Sequence, residues 1–355
     1  MVKHKPLPPT FSAGKSTRSA KWARRSKSVP ALFTAFIAFW LLLPILLVLA
    51  FLFDLLKRKP FPNTRLTLFG AWWLAMEVLG VTVAFLLWLI FAPFKRLGSL
   101  SSQRWHSLLQ SCWARGLAIG GKYTIGLRWH VDGVECLRKT GPLIVLARHG
   151  SQGDALLTAA LLSAEGWRLR FILKQQLLGD PCLDIVGHRI PNYFVDRDSL
   201  DNKNELENIS ELATGLAEDE ALVIFPEGTR FSEKKLSRAV TALSKTAPSR
   251  VQAAQTLTSV LPIRTAGTLA VLAKSSADVV ILNHVGIRDI SSVKELQASV
   301  PLPTMLKFRL WRTPRAELST EWTEDQIVQW LDSQWAIVDD WVSANEQSAS
   351  SETRH

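Results

Sequence analysis

Acidic residues are missing from the first 30 positions, although eight of the chain's 42 Lys and Arg fall there. The formal charge of +11 therefore shrinks to +3 over the rest of the chain. A basic arm on a nearly balanced body argues against nucleic-acid binding, since no recognisable nucleic-acid module follows the arm. Cysteine is scarce as well. Cys112, Cys136 and Cys182 form no C-x-x-C pair and meet no histidine at metal-ligand spacing. Neither a disulfide framework nor a metal site is indicated, which fits a reducing compartment. Internal repeats are absent.

Hydrophobic residues are abundant. They make up 47% of the chain, with 14 Trp, and the mean hydropathy is +0.11, a balance that leans toward a membrane protein. Pro6, Pro8 and Pro9 and the scattered Ser, Lys and Arg predict a disordered basic arm over residues 1–30, drawn to anionic lipid. An acid-free, Arg- and Ser-rich start also has the composition of an organelle transit peptide. Residues 31–53 are uncharged and mostly apolar, long enough for a helix to cross a ~30 Å hydrocarbon core, with a kink at Pro44. A loop holding Lys57, Arg58, Lys59 and Arg65 leads to a second apolar run, 66–94, interrupted by Glu77. Trp72, Trp73 and Trp88 toward its ends match an interfacial belt. Glu77 either marks a functional site or, more plainly, sits near the headgroups or faces its partner helix. Residues 31–94 thus read as two membrane helices. Basic flanks place both ends, and the domain that follows, in the cytoplasm. The expected location is an integral membrane position: the inner membrane if bacterial, the endoplasmic reticulum or a mitochondrial membrane if eukaryotic. The cations of the loop also permit a hairpin that dips into one leaflet.

From Trp105 the pattern alternates. Helices are predicted at Ser107–Leu117, Ala155–Leu162 and Leu206–Leu216. Strands are predicted at Thr124–Val131, Leu143–Ala147, Leu169–Leu173, Tyr193–Val195, Ala221–Phe225, Val260–Ile263 and Val279–Leu282. This is an α/β pattern: a mixed, largely parallel sheet flanked by helices and preceded by the two membrane helices. Thr323–Val342 is an amphipathic helix opened by a Thr323/Gln326 capping box. It packs on the core or, with its tryptophans, lies at the lipid surface; its acids disfavour anionic lipid. The domain therefore spans 105–345, and 346–355 reads as a loose tail.

His149 falls at the end of the Leu143–Ala147 strand, and Asp154 opens the next helix five residues later. That geometry lets a carboxylate fix one imidazole nitrogen and leave the other facing a substrate. Alone, the spacing also describes two unrelated surface residues. A second strand-to-turn cluster, Val223–Arg230 (VIFPEGTR), tips the reading toward a site.

Four blocks stand in a fixed order: Arg148–Asp154 (RHGSQGD), Tyr193–Arg197 (YFVDR), Phe225–Arg230 (FPEGTR) and Val260–Ile263 (VLPI). Over about residues 120–290 the chain resembles the glycerolipid acyltransferases, of which lysophosphatidic acid acyltransferase is the type, with some likeness to the lysocardiolipin branch. The resemblance implies acyl transfer from a thioester, acyl-CoA or acyl carrier protein, to a lysophospholipid hydroxyl. The acceptor it implies first is 1-acylglycerol-3-phosphate, giving phosphatidic acid. No cofactor is implied beyond that co-substrate, and membrane lipids are the expected partners. A hydroxyl is a weak nucleophile at neutral pH and needs a base. His149 is that base, oriented by Asp154, and without a G-x-S-x-G elbow no serine nucleophile enters. Arg230 and Arg197 supply forked donors to the acceptor phosphate, helped by backbone N–H groups around Gly228 and Thr229. Glu227 holds those arginines or a glycerol hydroxyl, or merely pins the turn through an ion pair with Arg230. Lys174 heads an element resembling the family's Lys-x-Glu-Leu, with Gln176 in place of the acid. Arg148 stands where the family has Asn, and Pro191 where it has Gly; these departures bear on acceptor identity. His188 has no acid at the His149 spacing, and His130 and His284 read as strand residues. The alternatives are remodelling of another lysophospholipid and, in a different class, a non-catalytic lipid-binding module.

Overall fold

The computed structural model describes residues 11–12, 17–151, 153–195, 202–287, 293–318 and 321–352. In chain order the elements are β1 (Phe11–Ser12), α1 (Arg18–Leu56), α2 (Pro62–Phe91), α3 (Leu100–Thr124), β2 (Trp129–Asp132), β3 (Leu143–Ala147), α4 (Asp154–Ala164), β4 (Arg168–Lys174), α5 (Pro181–Gly187), β5 (Tyr193–Val195) and α6 (Asn202–Leu212). There follow β6 (Glu220–Ile224), α7 (Glu233–Thr246), α8 (Val251–Thr256), α9 (Thr265–Lys274), β7 (Asp278–Val285), α10 (Val293–Ser299), β8 (Leu306–Thr313) and α11 (Glu324–Glu352).

One sheet runs in the order β1-β5-β4-β6-β3-β7-β8-β2. Every described pairing is parallel except β7 with β8. The mixed, largely parallel sheet expected from the sequence is therefore present. Its central strands β3 and β6 are buried along their whole length because helices cover both faces. Leu143, Val145 and Ala147 point into a core shared with α3 and α4. Ile144 and Leu146 point the other way, into a core shared with α6, α9 and α11.

Several boundaries differ from expectation for identifiable reasons. The stretch Thr124–Val131 is not one strand: α3 runs on through Thr124, and the strand is Trp129–Asp132. Gly120 permits this, because a Cβ there would lie 2.0 Å from Trp72 of α2. Trp72 donates to the Gly116 carbonyl at 2.8 Å, so it faces α3 instead of forming a belt. Val260–Ile263 is not a strand either. Its backbone donors go to carboxylates: Val260 N–H to Asp339 at 3.0 Å and Leu261 N–H to Glu227 at 2.9 Å, while Pro262 has none to give. The unforeseen β8 buries Leu306, Phe308 and Leu310 between exposed Lys307 and Arg309. The C-terminal helix has its capping box, with Thr323 N–H donating to Gln326 at 2.8 Å. It buries Leu331, Trp335, Val338 and Val342 on the core, and it continues to Glu352 through the supposed tail, where no Gly or Pro stops it.

The basic arm is helical from Arg18 onward, contrary to the disordered 1–30 reading. Arg24 and Arg25 bind the buried Asp184 of α5 at 2.7 and 3.1 Å, and Leu32 packs beside Val186. At the far end of α1, Asp54 closes the hairpin by accepting from Thr64 N–H at 2.8 Å and the Asn63 amide at 2.6 Å. Both α1 and α2 are long and apolar enough to cross a membrane. They are not equivalent, though. Leu41, Leu49, Leu52 and Leu56 of α1 are exposed, whereas α2 is pressed against the domain. Arg65 donates to Thr124 O at 2.9 Å, Trp113 donates to the buried Glu77 at 3.0 Å, and Ala84 and Leu87 pack with Leu109. Glu77 thus faces α3.

Candidate active site

Three adjacent strands deliver the polar groups. β3 is hydrogen-bonded to both β6 and β7, so the residues just past β3, the turn after β6 and the end of β7 converge. This is the carboxyl edge of the parallel strands, where α/β sheets place their ligands.

Asp154, at the start of α4, is wholly buried. Its Oδ2 lies 3.0 Å from His149 Nδ1 and accepts from the Ser151 N–H at 2.8 Å. Its Oδ1 accepts from the Ser151 hydroxyl and lies 3.1 Å from Nε2 of His284. The His284 approach is close but not aligned as a full hydrogen bond, so it is chiefly electrostatic. Burial pushes the Asp154 pKa up. The pull of His284 and the hydrogen bonds from His149 and Ser151 outweigh it and hold the carboxyl well below its usual range. With Asp154 ionised, Nδ1 of His149 is the donor. Nε2 has no hydrogen-bond partner among the described residues.

His149 forms part of the wall of a cavity of about 870 Å³, with Lys174, Gly228, Arg230 and Arg264 among its polar or small residues and Ile172, Leu177, Leu206 and Ile209 among its apolar ones. Gly228 has φ +73°, and a Cβ there would come within 3.0 Å of the Arg264 side chain. Arg264 N–H donates to Pro226 O at 2.9 Å, which ties the FPEGTR turn to the start of α9. The guanidinium groups of Arg230 and Arg264 have no side-chain partner among the described residues.

Glu227 departs from expectation. It neither lines the cavity nor bonds Arg230. Its two oxygens accept the backbone N–H groups of His149 at 2.8 Å and Leu261 at 2.9 Å, and it is 2% exposed. It therefore clamps the His149 turn to the 260–263 strap. Thr229 also turns away, its hydroxyl accepting from Lys235 Nζ at 3.2 Å. Arg197 lies outside the described residues. Arg148 is a buried staple, donating to the His284 carbonyl at 2.6 Å and reaching Glu346 of α11 at 3.4 Å. His188 pairs with Asp184 at 3.0 Å in the α1 anchor, away from the cavity. His284 and the cation of Arg264 were not given roles by the sequence. The one signal for His284 is a polar pair, Asn283-His284, at buried positions of an apolar strand. Among the described residues no group of His, Cys, Asp and Glu is placed to hold a metal ion.

Residues 128–266 match the family model described as Acyltransferase. Over this segment the chain is similar to that family. The matched segment contains His149, Asp154, Lys174, the FPEGTR turn and Arg264, while His284 lies beyond it. No curated protein matches the sequence. Among solved structures, the 1-acyl-sn-glycerophosphate (LPA) acyltransferase PlsC from Thermotoga maritima is similar, at 14% identity and a TM-score of 0.46, covering 77% of this chain and 97% of that one.

Burial raises the Glu227 pKa to about 7, against the opposing pull of Arg148 and of the His149 and Leu261 N–H groups; Asp154 adds to the rise. The folded domain then binds a proton at Glu227 that the unfolded chain, near 4.5, has already released. Its contribution to stability is present below pH 4.5 and is lost as pH rises through about 7. The shift is worth on the order of 3 kcal/mol at most. Denaturant unfolding of wild type and Glu227→Gln at several pH values checks this. The difference between the two curves is expected to slope between pH 5 and 7, and a difference independent of pH would contradict the assignment.

Proposed function

We propose that the chain is a membrane-bound O-acyltransferase that moves a fatty acyl group from a thioester, acyl-CoA or acyl carrier protein, to a lysophospholipid hydroxyl. The acceptor that fits best is 1-acylglycerol-3-phosphate. One observation carries the reading: a carboxylate-oriented imidazole with an open nitrogen shares a largely apolar cavity with two unpartnered guanidinium groups. The volume, about 870 Å³, lies in the range of small-molecule ligand pockets. In the step we propose, His149 Nε2 takes the acceptor hydroxyl proton as that oxygen attacks the thioester carbonyl. The tetrahedral centre collapses, the C–S bond breaks, and the thiolate leaves with the proton returned by His149. Arg230 and Arg264 bind the phosphomonoester, whose dianion matches paired forks better than a zwitterionic headgroup does.

Membrane attachment follows from α1, in a form that differs from two full crossings. α2 touches the catalytic domain from Arg65 to Leu87, a span of roughly 33 Å at 1.5 Å per residue. A helix perpendicular to the bilayer over that distance would carry α3, with exposed Arg104 and Lys122, into hydrocarbon. We therefore place the hairpin within one leaflet, with the outer face of α1 against acyl chains, which lets a lipid acceptor reach the site without leaving the membrane.

Two measurements check these statements. Purified protein with labelled acyl-CoA and a lysophospholipid panel is expected to acylate 1-acylglycerol-3-phosphate fastest. His149→Ala should lose at least ~10²-fold in turnover, and Arg230→Lys should raise the acceptor KM about tenfold while leaving the acyl-CoA KM nearly unchanged. A His149→Ala variant with normal turnover would refute the base. Preference for a phosphodiester acceptor would move the enzyme to lysophospholipid remodelling. For the hairpin, Lys59→Cys in a Cys112→Ser, Cys136→Ser background is expected to react with an impermeant maleimide on the same side of sealed vesicles as the catalytic domain. Reaction on the opposite side would establish two crossings.

A further inference from the structure

Asp154 can direct His149 only if its carboxylate is prevented from rotating about the Cβ–Cγ bond. Oδ2 is occupied by His149 Nδ1 and the Ser151 N–H, so the rotation is set by what holds Oδ1. Two groups do so: the Ser151 hydroxyl, local to the same turn, and His284 Nε2, 3.1 Å away on β7. We propose that His284 is a positioning residue for acyl transfer, holding Asp154 in the orientation that directs His149; this rests on the reading of His149 as base.

The fold makes His284 a rigid partner. It is 1% exposed, its strand register sets it opposite Phe308, and the two ring centroids lie 5.7 Å apart. Its carbonyl is gripped by Arg148 Nη1 at 2.6 Å, so the chain on both sides of the catalytic turn is tied to the strand bearing the second imidazole. Neither ring nitrogen makes a full hydrogen bond among the described residues, so no other polar group competes with Asp154 for the ring, whose Nε2 meets Oδ1 at 3.1 Å. The titratable and charged groups around the Asp154–His149 pair are His284, Arg148 and Glu227. Ser151 could hold Oδ1 alone, but a hydroxyl on a short turn moves with that turn, whereas His284 refers Asp154 to the sheet. Asp154 thus serves two imidazoles, one facing the substrate and one fixing the carboxylate.

Two variants that differ only in reach separate this role from packing. A Gln amide extends to the place of Nε2, whereas an Asn amide ends near Nδ1, away from Asp154. Removing the partner from Oδ1 leaves Asp154 more basic, so His149 holds its proton more tightly and the acid limb of kcat/KM moves to higher pH. We expect His284→Asn to lower kcat about tenfold or more with acceptor and donor KM within twofold of wild type, and to move that limb upward. His284→Gln is expected to restore most of the rate and the wild-type limb. His284→Phe, which keeps ring volume without a donor, should behave as Asn does if it folds. Equal losses in Asn and Gln with an unmoved limb would show a packing role only and overturn the proposal, as would an unchanged His284→Asn. Transfer that persists in His149→Ala would instead remove the base, and this inference with it.

Discussion

The site depends on one buried negative charge. An ionised carboxylate with no water around it is costly unless its lone pairs are taken, and the surroundings of Asp154 supply two imidazoles, a hydroxyl and a backbone N–H. This compensation explains why the turn between β3 and α4 has its shape. Ser151 bends back onto Asp154 with both its N–H and its hydroxyl, and the ring of His149 is left at the cavity wall with its second nitrogen open. Glu227 does the matching work from the other side, binding the His149 N–H and the strap at Leu261. Two buried carboxylates thus fix one histidine, one through its ring and one through its backbone.

The same economy of parts runs outward from this turn. The FPEGTR turn gives Glu227 to the interior and Arg230 to the cavity, and its Gly228 leaves room for Arg264 from the start of α9. The strap that bonds Glu227 also bonds Asp339 of α11, so the C-terminal helix braces the turn from below. On the opposite face α3 links the core to α2, and α2 carries the exposed helix α1. The cavity, the arginines and the apolar hairpin are therefore joined through α3 and α5.

Much of this was legible in the sequence because it is local. The apolar runs of β3 and β6, the His149 and Asp154 spacing, and the FPEGTR turn each lie within a few residues, and the strand-to-helix sequence orients them. What was not legible is held together by register. His284 reaches Asp154 only because β7 pairs with β3, and Arg264 reaches Gly228 only because the strap brings α9 back to the β6 turn. The sequence offers Glu227 the arginines, a glycerol hydroxyl or an ion pair with Arg230 as partners; two backbone donors from distant segments turn it inward instead. The 260–263 strap reads as a strand because Val, Leu and Ile favour one, yet its donors go to carboxylates. β8 is legible in the period-two alternation of Leu306, Phe308 and Leu310. The hairpin illustrates the limit of composition: hydropathy marks α2 as a membrane helix, and only its contacts along α3 show that the domain lies beside it.

The central claim is that the Asp154 carboxylate makes His149 a base. The most direct measurement is single-turnover acyl transfer by Asp154→Asn, a change of nearly equal volume, with thermal unfolding of the variant recorded beside it. An amide cannot accept the Nδ1 proton and Ser151 N–H on the same atom with the strength of a carboxylate, and it favours the wrong imidazole tautomer. The expected result is a folded protein whose rate constant falls by about 10³-fold, within the ~10²–10⁴ span of general-base catalysis. A folded variant that transfers the acyl group within a few-fold of the wild-type rate would contradict the account.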